Sequence, residues 1–204
     1  MTEGEWLACT DPRPMLGFLQ GKASERKLRL FAVACATRNL HMMSDERFRR
    51  FVEVAEVFAD GQASVEALVA AAEAAGDDPV DAYDAANDPV RNAHVEADAA
   101  AEGAYHFGST PDEIRAIQCD LLRDIIGNPF RPVAVDPSWL TSNVVALART
   151  SYDERAFDRL PVLADTLEEA GFTSADILNH CRQPGEHVRG CWVVDLILGK
   201  GVTP

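Results

Sequence analysis

Residues 44–61 read SDERFRRFVEVAEVFADG. Phe48, Phe51, Val52, Ala55 and Phe58 fall at i, i+3, i+4, i+7 and i+10, which is one face of a 3.6-residue period. Arg47, Arg49, Arg50, Glu53 and Glu56 take the opposite side. Ser44 is placed to cap the first turn and Gly61 to end the last, so the stretch predicts an amphipathic α-helix. The same signs recur on both sides of it, and they decide the fold class.

Upstream, Ser24 opens a helix predicted to run to about Met42. Its middle, Leu28 and Leu30 to Ala36, is apolar nearly all round, as in a helix central to a fold. Thr2 with Glu5 and Thr110 with Glu113 each form a T-x-x-E capping box. Asp11-Pro12-Arg13-Pro14 is expected to end the first short helix and let Pro14 start a second over Met15 to Gln20. Downstream, Ser64 opens a helix to Ala75. From Gly76 to Gly108 the signal weakens. Pro79 and Pro89 interrupt an Ala-, Asp- and Glu-rich run that reads as one or two loosely packed helices. Ile114, Ile117, Leu121, Leu122, Ile125 and Ile126 mark another helix, ended by Gly127. Three prolines between Asn128 and Pro137 predict an extended connector, followed by a helix over about Ser142 to Thr150. The rest reads as short helices: Leu160 to Ala170, Ala175 to Arg182, and Glu186 to Leu198 with Gly199 as its cap. No run shows strand alternation with hairpin turns; a short pairing at Val133 to Val135 is the most a sheet could claim.

The prediction is an all-α fold, an irregular or superhelical array of about eight to eleven helices. It is expected as a single domain over 1–204, with 62–108 as an acidic, alanine-rich excursion.

Charge sharpens this organisation. The chain has 204 residues and a formal net charge of −14. Phe51 to Glu113 holds fifteen acids against the single base Arg91, while Lys22 to Arg50 holds eight bases against three acids. An acidic total argues against nucleic-acid binding, which needs a surface that neutralises phosphates. No stretch approaches the roughly 18 apolar residues of a membrane span. MTEGEWLACTDPRP lacks the basic and apolar regions of a signal peptide. Cys9, Cys35, Cys119, Cys181 and Cys191 are odd in number, so reduced thiols and a cytoplasmic location are expected.

Two blocks carry a family likeness. EWLACTDPRPMLGFLQGKASERKLRLFAVAC (5–35) and YDERAFDRLPVLADTLEEAGFTSADILNHCRQPGEHVRGCWVVDLILGK (152–200), with the patches NPFRPV (128–133) and DPSWL (136–140), resemble a family of bacterial all-helical proteins. In that family the same blocks flank a variable alanine-rich middle. The stretch Arg159 to Gly171 is also similar to the short helical modules called repeat-companion domains. The resemblance implies a helical fold and no particular activity.

Chemistry, if present, concentrates near the C-terminus. His187 and Cys191 at i and i+4 would share one helix face, and Cys181 or His180 could return across the Pro184-Gly185 turn. Thiolate and imidazole are zinc ligands, so Cys181, His187 and Cys191 are the metal candidates and zinc is the one cofactor considered. Against this stands the ordinary use of cysteine as buried packing. Arg189 is an anion-binding candidate or an anchor for carbonyl groups in its turn. Arg155 and Arg159 lie in a charge-dense segment suited to recognition or to a helix-end ion-pair network. Trp139 and Trp192 are core anchors that could line a pocket. Asp195, set among Trp192, Val193, Val194 and Leu196, calls for a partner. There is no G-x-G-x-x-G, no P-loop, no H-E-x-x-H, no G-x-S-x-G, and no Glu three residues before a histidine. His106 and Cys119 lack a supporting third group.

No catalytic residue is assigned. The leading expectation is a protein-interaction or adaptor module without catalytic activity, whose partner is another protein. The alternatives are a small enzyme or zinc-dependent regulator using the C-terminal His/Cys/Arg block, and an acidic surface that binds a basic protein. Oligomeric state is left open.

Overall fold

A computed structural model describes residues 1–39, 45–77, 79–103 and 109–200. It is all-α, with no strand among the described residues. None of the described helices is long and apolar enough to cross a membrane. Contacts divide the chain into two compact units, Met1–Leu122 and the residues from Arg123 onward.

The first unit contains α1 (Glu3–Ala8), α2 (Pro12–Leu19), α3 (Glu25–Asn39), α4 (Glu46–Ala59), α5 (Val65–Ala75), α6 (Pro79–Asn87), α7 (Pro89–Gly103) and most of α8 (Pro111–Ile126). Both capping boxes form. The Thr2 amide donates to Glu5 Oε2 at 2.6 Å, and the Thr110 amide to Glu113 Oε2 at 2.8 Å. α2 starts two residues before the expected Pro14. Asp11 caps it by accepting from the Arg13 amide at 3.0 Å, and both prolines fall in the first turn, where a missing N–H costs nothing. Asp45 caps α4, accepting from the Arg47 amide at 2.9 Å; the expected cap Ser44 lies outside the described residues.

α3 is central, as its all-round apolar middle predicts, with Leu28, Leu30, Phe31 and Cys35 buried. Its most extensive neighbour is α7, then α4. The alanine-rich segment read as an excursion supplies α5, α6 and α7. Ala93, Ala97, Ala100 and Ala101 of α7 are buried. Alanine buries little area per residue, but it lets two helix axes come close, and packing follows from that approach. Gln118 of α8 donates its amide to the Ala97 carbonyl at 2.8 Å.

The second unit is built of shorter pieces: a connector, a 3₁₀ turn over Pro137–Trp139, α9 (Ser142–Asp153), a second 3₁₀ turn over Phe157–Arg159, α10 (Leu160–Glu169), α11 (Ala175–Arg182) and α12 (Trp192–Leu198). Their apolar faces share one core that includes Val144, Tyr152, Leu163, Phe172, Ile177 and Val194. Trp139 meets Phe172 edge-on with ring centroids 4.7 Å apart. Gly127 ends α8 at φ +77°, and a Cβ there would come within 3.0 Å of the Trp192 ring, so both conformation and space require glycine.

One expectation fails here. The helix predicted over Glu186 to Leu198 begins only at Trp192. Residues 183–191 form a loop with a turn at Gly190, φ +96°, and the Cys191 amide donates to the Val188 carbonyl at 2.9 Å. The whole stretch is non-helical, and the left-handed glycine turns the chain just before Cys191. These two residues therefore do not share a helix face.

Candidate metal centre

The loop brings His187 and Cys191 together by another route. Asp124 projects from the last turn of α8 and is buried at 2% exposure. His180 comes from the last turn of α11, His187 from the loop, and Cys191 from the N-cap position of α12. His187 Nδ1 lies 2.6 Å from Asp124 Oδ1, and His180 Nε2 lies 3.1 Å from the same oxygen. Cys191 Sγ is 3.2 Å from His180 Nε2. One ligating atom from each of the four residues lies within 4.8 Å of every other.

Four further contacts hold the donors in place. The Val188 amide donates to Asp124 Oδ2 at 3.0 Å, which ties the loop to α8. The Gln183 amide sits 3.2 Å from His180 Nδ1. The amide nitrogen donates to Nδ1, so the ring proton is on Nε2, facing Asp124 and Cys191, and an ion bound there would take that proton's place. The Trp192 ring covers His180 at a centroid distance of 5.2 Å, and His187 meets His180 edge-on at 4.9 Å. His187 Nε2 is buried with no hydrogen-bond partner.

Electrostatics around the carboxylate are opposed. Burial pushes Asp124 upward, but hydrogen bonds from His180 and His187 outweigh it and hold the group below its ordinary value. Burial, reinforced by Asp124, drives the Cys191 thiol well above its ordinary value. The same two causes push Cys181 up to about 12. Neither thiol ionises unaided near neutrality, and a bound cation is the usual means of making a buried thiol a thiolate.

The contacts do not form a nucleophilic relay. In such a relay a base takes the thiol proton on one ring nitrogen while a carboxylate orients the ring through the other. Here Cys191 and Asp124 both address His180 Nε2, and Nδ1 faces a neutral amide. Donors that converge on one point suit a cation at that point.

Of the metal candidates read from the sequence, His187 and Cys191 belong to the cluster and Cys181 does not. Cys181 is one residue, about 100° of helix, past His180, and that turn carries it into the apolar core. His180 takes its place. Asp124 was not anticipated: it lies 63 residues before His187, and no local spacing connects the two. Its one local sign is a carboxylate set among Leu121, Leu122, Ile125 and Ile126.

The other candidates are apart from the cluster or at its edge. Arg189 lies over the Tyr152 ring, 4.7 Å to the centroid, and donates to the Tyr152 carbonyl at 3.4 Å, which is the anchoring use. Arg155 is exposed, with a left-handed backbone at φ +53°, and Arg159 is exposed at the start of α10. Trp139 packs on Phe172. Trp192 closes one side of the cluster. His106 lies outside the described residues.

In comparisons with known proteins, no family profile, no curated protein and no solved structure matches the chain.

Proposed function

We propose that the chain is a zinc-binding helical module with a regulatory or adaptor role, in which Asp124, His180, His187 and Cys191 hold the ion. The observation that carries this reading is the convergence of four donors, from α8, α11, the 183–191 loop and the α12 cap, on one buried point. One thiol, two imidazoles and one carboxylate are a zinc donor set; magnesium and calcium take oxygen donors. Four protein donors fill a tetrahedron, and all four are buried or nearly so. Closed four-coordinate sites are structural, whereas catalytic ones keep a position for water. The role supported is therefore to fix the second unit in the shape that another protein recognises.

Elemental analysis of untagged protein tests the reading. One zinc per chain is expected, with loss in Asp124→Ala and in His187→Ala and retention in Cys181→Ser. Metal-free protein that fails to take up added zinc would refute it.

A further inference from the structure

The stripe that decides the fold class is only partly covered. Phe48, Phe51 and Phe58 of α4 are half-buried, while Val52 beside them is buried. They face a cavity of about 410 Å³ within the first unit. Its walls differ in kind. α3, α4 and α5 give it Val33, the three phenylalanines, Val52 and Leu68; α6, α7 and the turns before them give it Asp77, Asp81, Asp84, Asp88 and Glu96, with Ala86 and Val95 among them. Arg29 and Arg91 are the lining bases, so five carboxylates face two cations, for a formal −3. Both bases are engaged. Arg29 donates to Glu25 Oε2 and to the Ala86 carbonyl, each at 2.8 Å, and lies over the Phe58 ring; Arg91 pairs with Asp84 at 3.5 Å.

We infer that this cavity binds a small amphipathic organic cation, with its apolar body against the phenylalanine wall and its ammonium group against the Asp81–Asp84–Asp88 wall. The volume falls in the range of small-molecule sites, roughly 300–1,000 Å³, which combine apolar lining with a few placed polar groups. Glu96 supports the assignment. Burial, with help from Asp77, raises its pKa to about 7, so a cation held beside it would favour its charged form.

The test uses the full chain and octylammonium below its micelle concentration, followed by calorimetry and by amide chemical shifts. Saturable binding is expected, with shifts confined to α3, α4, α5, α6 and α7. Octanoate, of equal chain length and opposite charge, should bind at least tenfold more weakly, as should spermidine, which has charge without an apolar body. Asp81→Asn/Asp84→Asn, exposed changes that keep the fold, should weaken octylammonium about tenfold. Equal binding of octanoate would overturn the inference, because apolar burial alone would then explain it. Equal binding of spermidine would overturn it from the other side, leaving only a diffuse acidic surface. No saturable binding, or unchanged affinity in the double variant, would also sink it.

Discussion

The two units solve the same problem with different materials. The first uses long helices, among them α3 and α7 at 15 residues each and α8 at 16. Its centre is apolar, with aliphatic residues of α3 against alanines of α7. The second uses helices of 7 to 12 residues joined by loops. Short helices are marginal alone, because nucleation costs more than a few hydrogen bonds return. The second unit adds a buried polar knot at Asp124, His180, His187 and Cys191. A polar knot is a poor stabiliser unless every member is satisfied. His187 Nε2 has no partner, and the Cys191 thiol is driven far from ionisation. A metal ion would turn that liability into a cross-link between four chain segments.

The largest expected effect follows. Chelation of zinc, or Cys191→Ala, should destabilise the second unit by several kcal/mol, since metal-binding free energy is also folding free energy. Hydrogen exchange should show α11 and α12 losing protection while α3 and α7 keep theirs. Uniform loss across both units would mean that they do not differ in the way described.

Next in size is Phe172→Ala, a fully buried ring against Trp139. About 3–5 kcal/mol should be lost in denaturant unfolding. A cost under about 1 kcal/mol would show that the second unit depends on its knot and hardly at all on its apolar core.

The pH response should come from the first unit. The Glu96 carboxyl is raised to about 7 in the folded chain from an ordinary value near 4.5. A raised folded pKa means that the folded state holds the proton more tightly. The associated stability is complete below about pH 4.5, falls through the window up to pH 7, and is gone above it. Its size is of order 3 kcal/mol at most. Glu96→Gln should flatten the stability of the first unit between pH 4.5 and 7. An unchanged pH slope in that variant would remove Glu96 as the cause.

The smallest effect tests close packing. Ala97 is 1% exposed within α7, so Ala97→Leu should cost about 1–3 kcal/mol by forcing its neighbours apart. A neutral result would return the alanine-rich segment to the loose excursion read from its composition.

What the sequence made legible follows from the range of each signal. Helix caps and periodicity are local, so the all-α class, both capping boxes and the central place of α3 could be read directly. The packing role of α7 could not, because an alanine face looks weak in a list of hydrophobic residues and strong only beside its partner. The candidate site divides in the same way. His187 and Cys191 stood out because they are close in sequence, but the i, i+4 argument behind them was wrong, since both lie in the 183–191 loop and the helix starts only at Trp192. His180 and Cys181 were adjacent choices, and only the position of the core decides which of them turns inward. Asp124 is brought in by the fold alone.

The most direct measurement is the absorption spectrum of cobalt-substituted protein, compared among the parent chain, Cys191→Ser and Cys181→Ser. Cobalt in a tetrahedral site with one thiolate gives a sulfur-to-metal charge-transfer band together with intense visible bands. The account predicts both in the parent and in Cys181→Ser, and loss of the charge-transfer band in Cys191→Ser. A band that survives in Cys191→Ser, or none in the parent, would contradict the placement of a metal on Asp124, His180, His187 and Cys191.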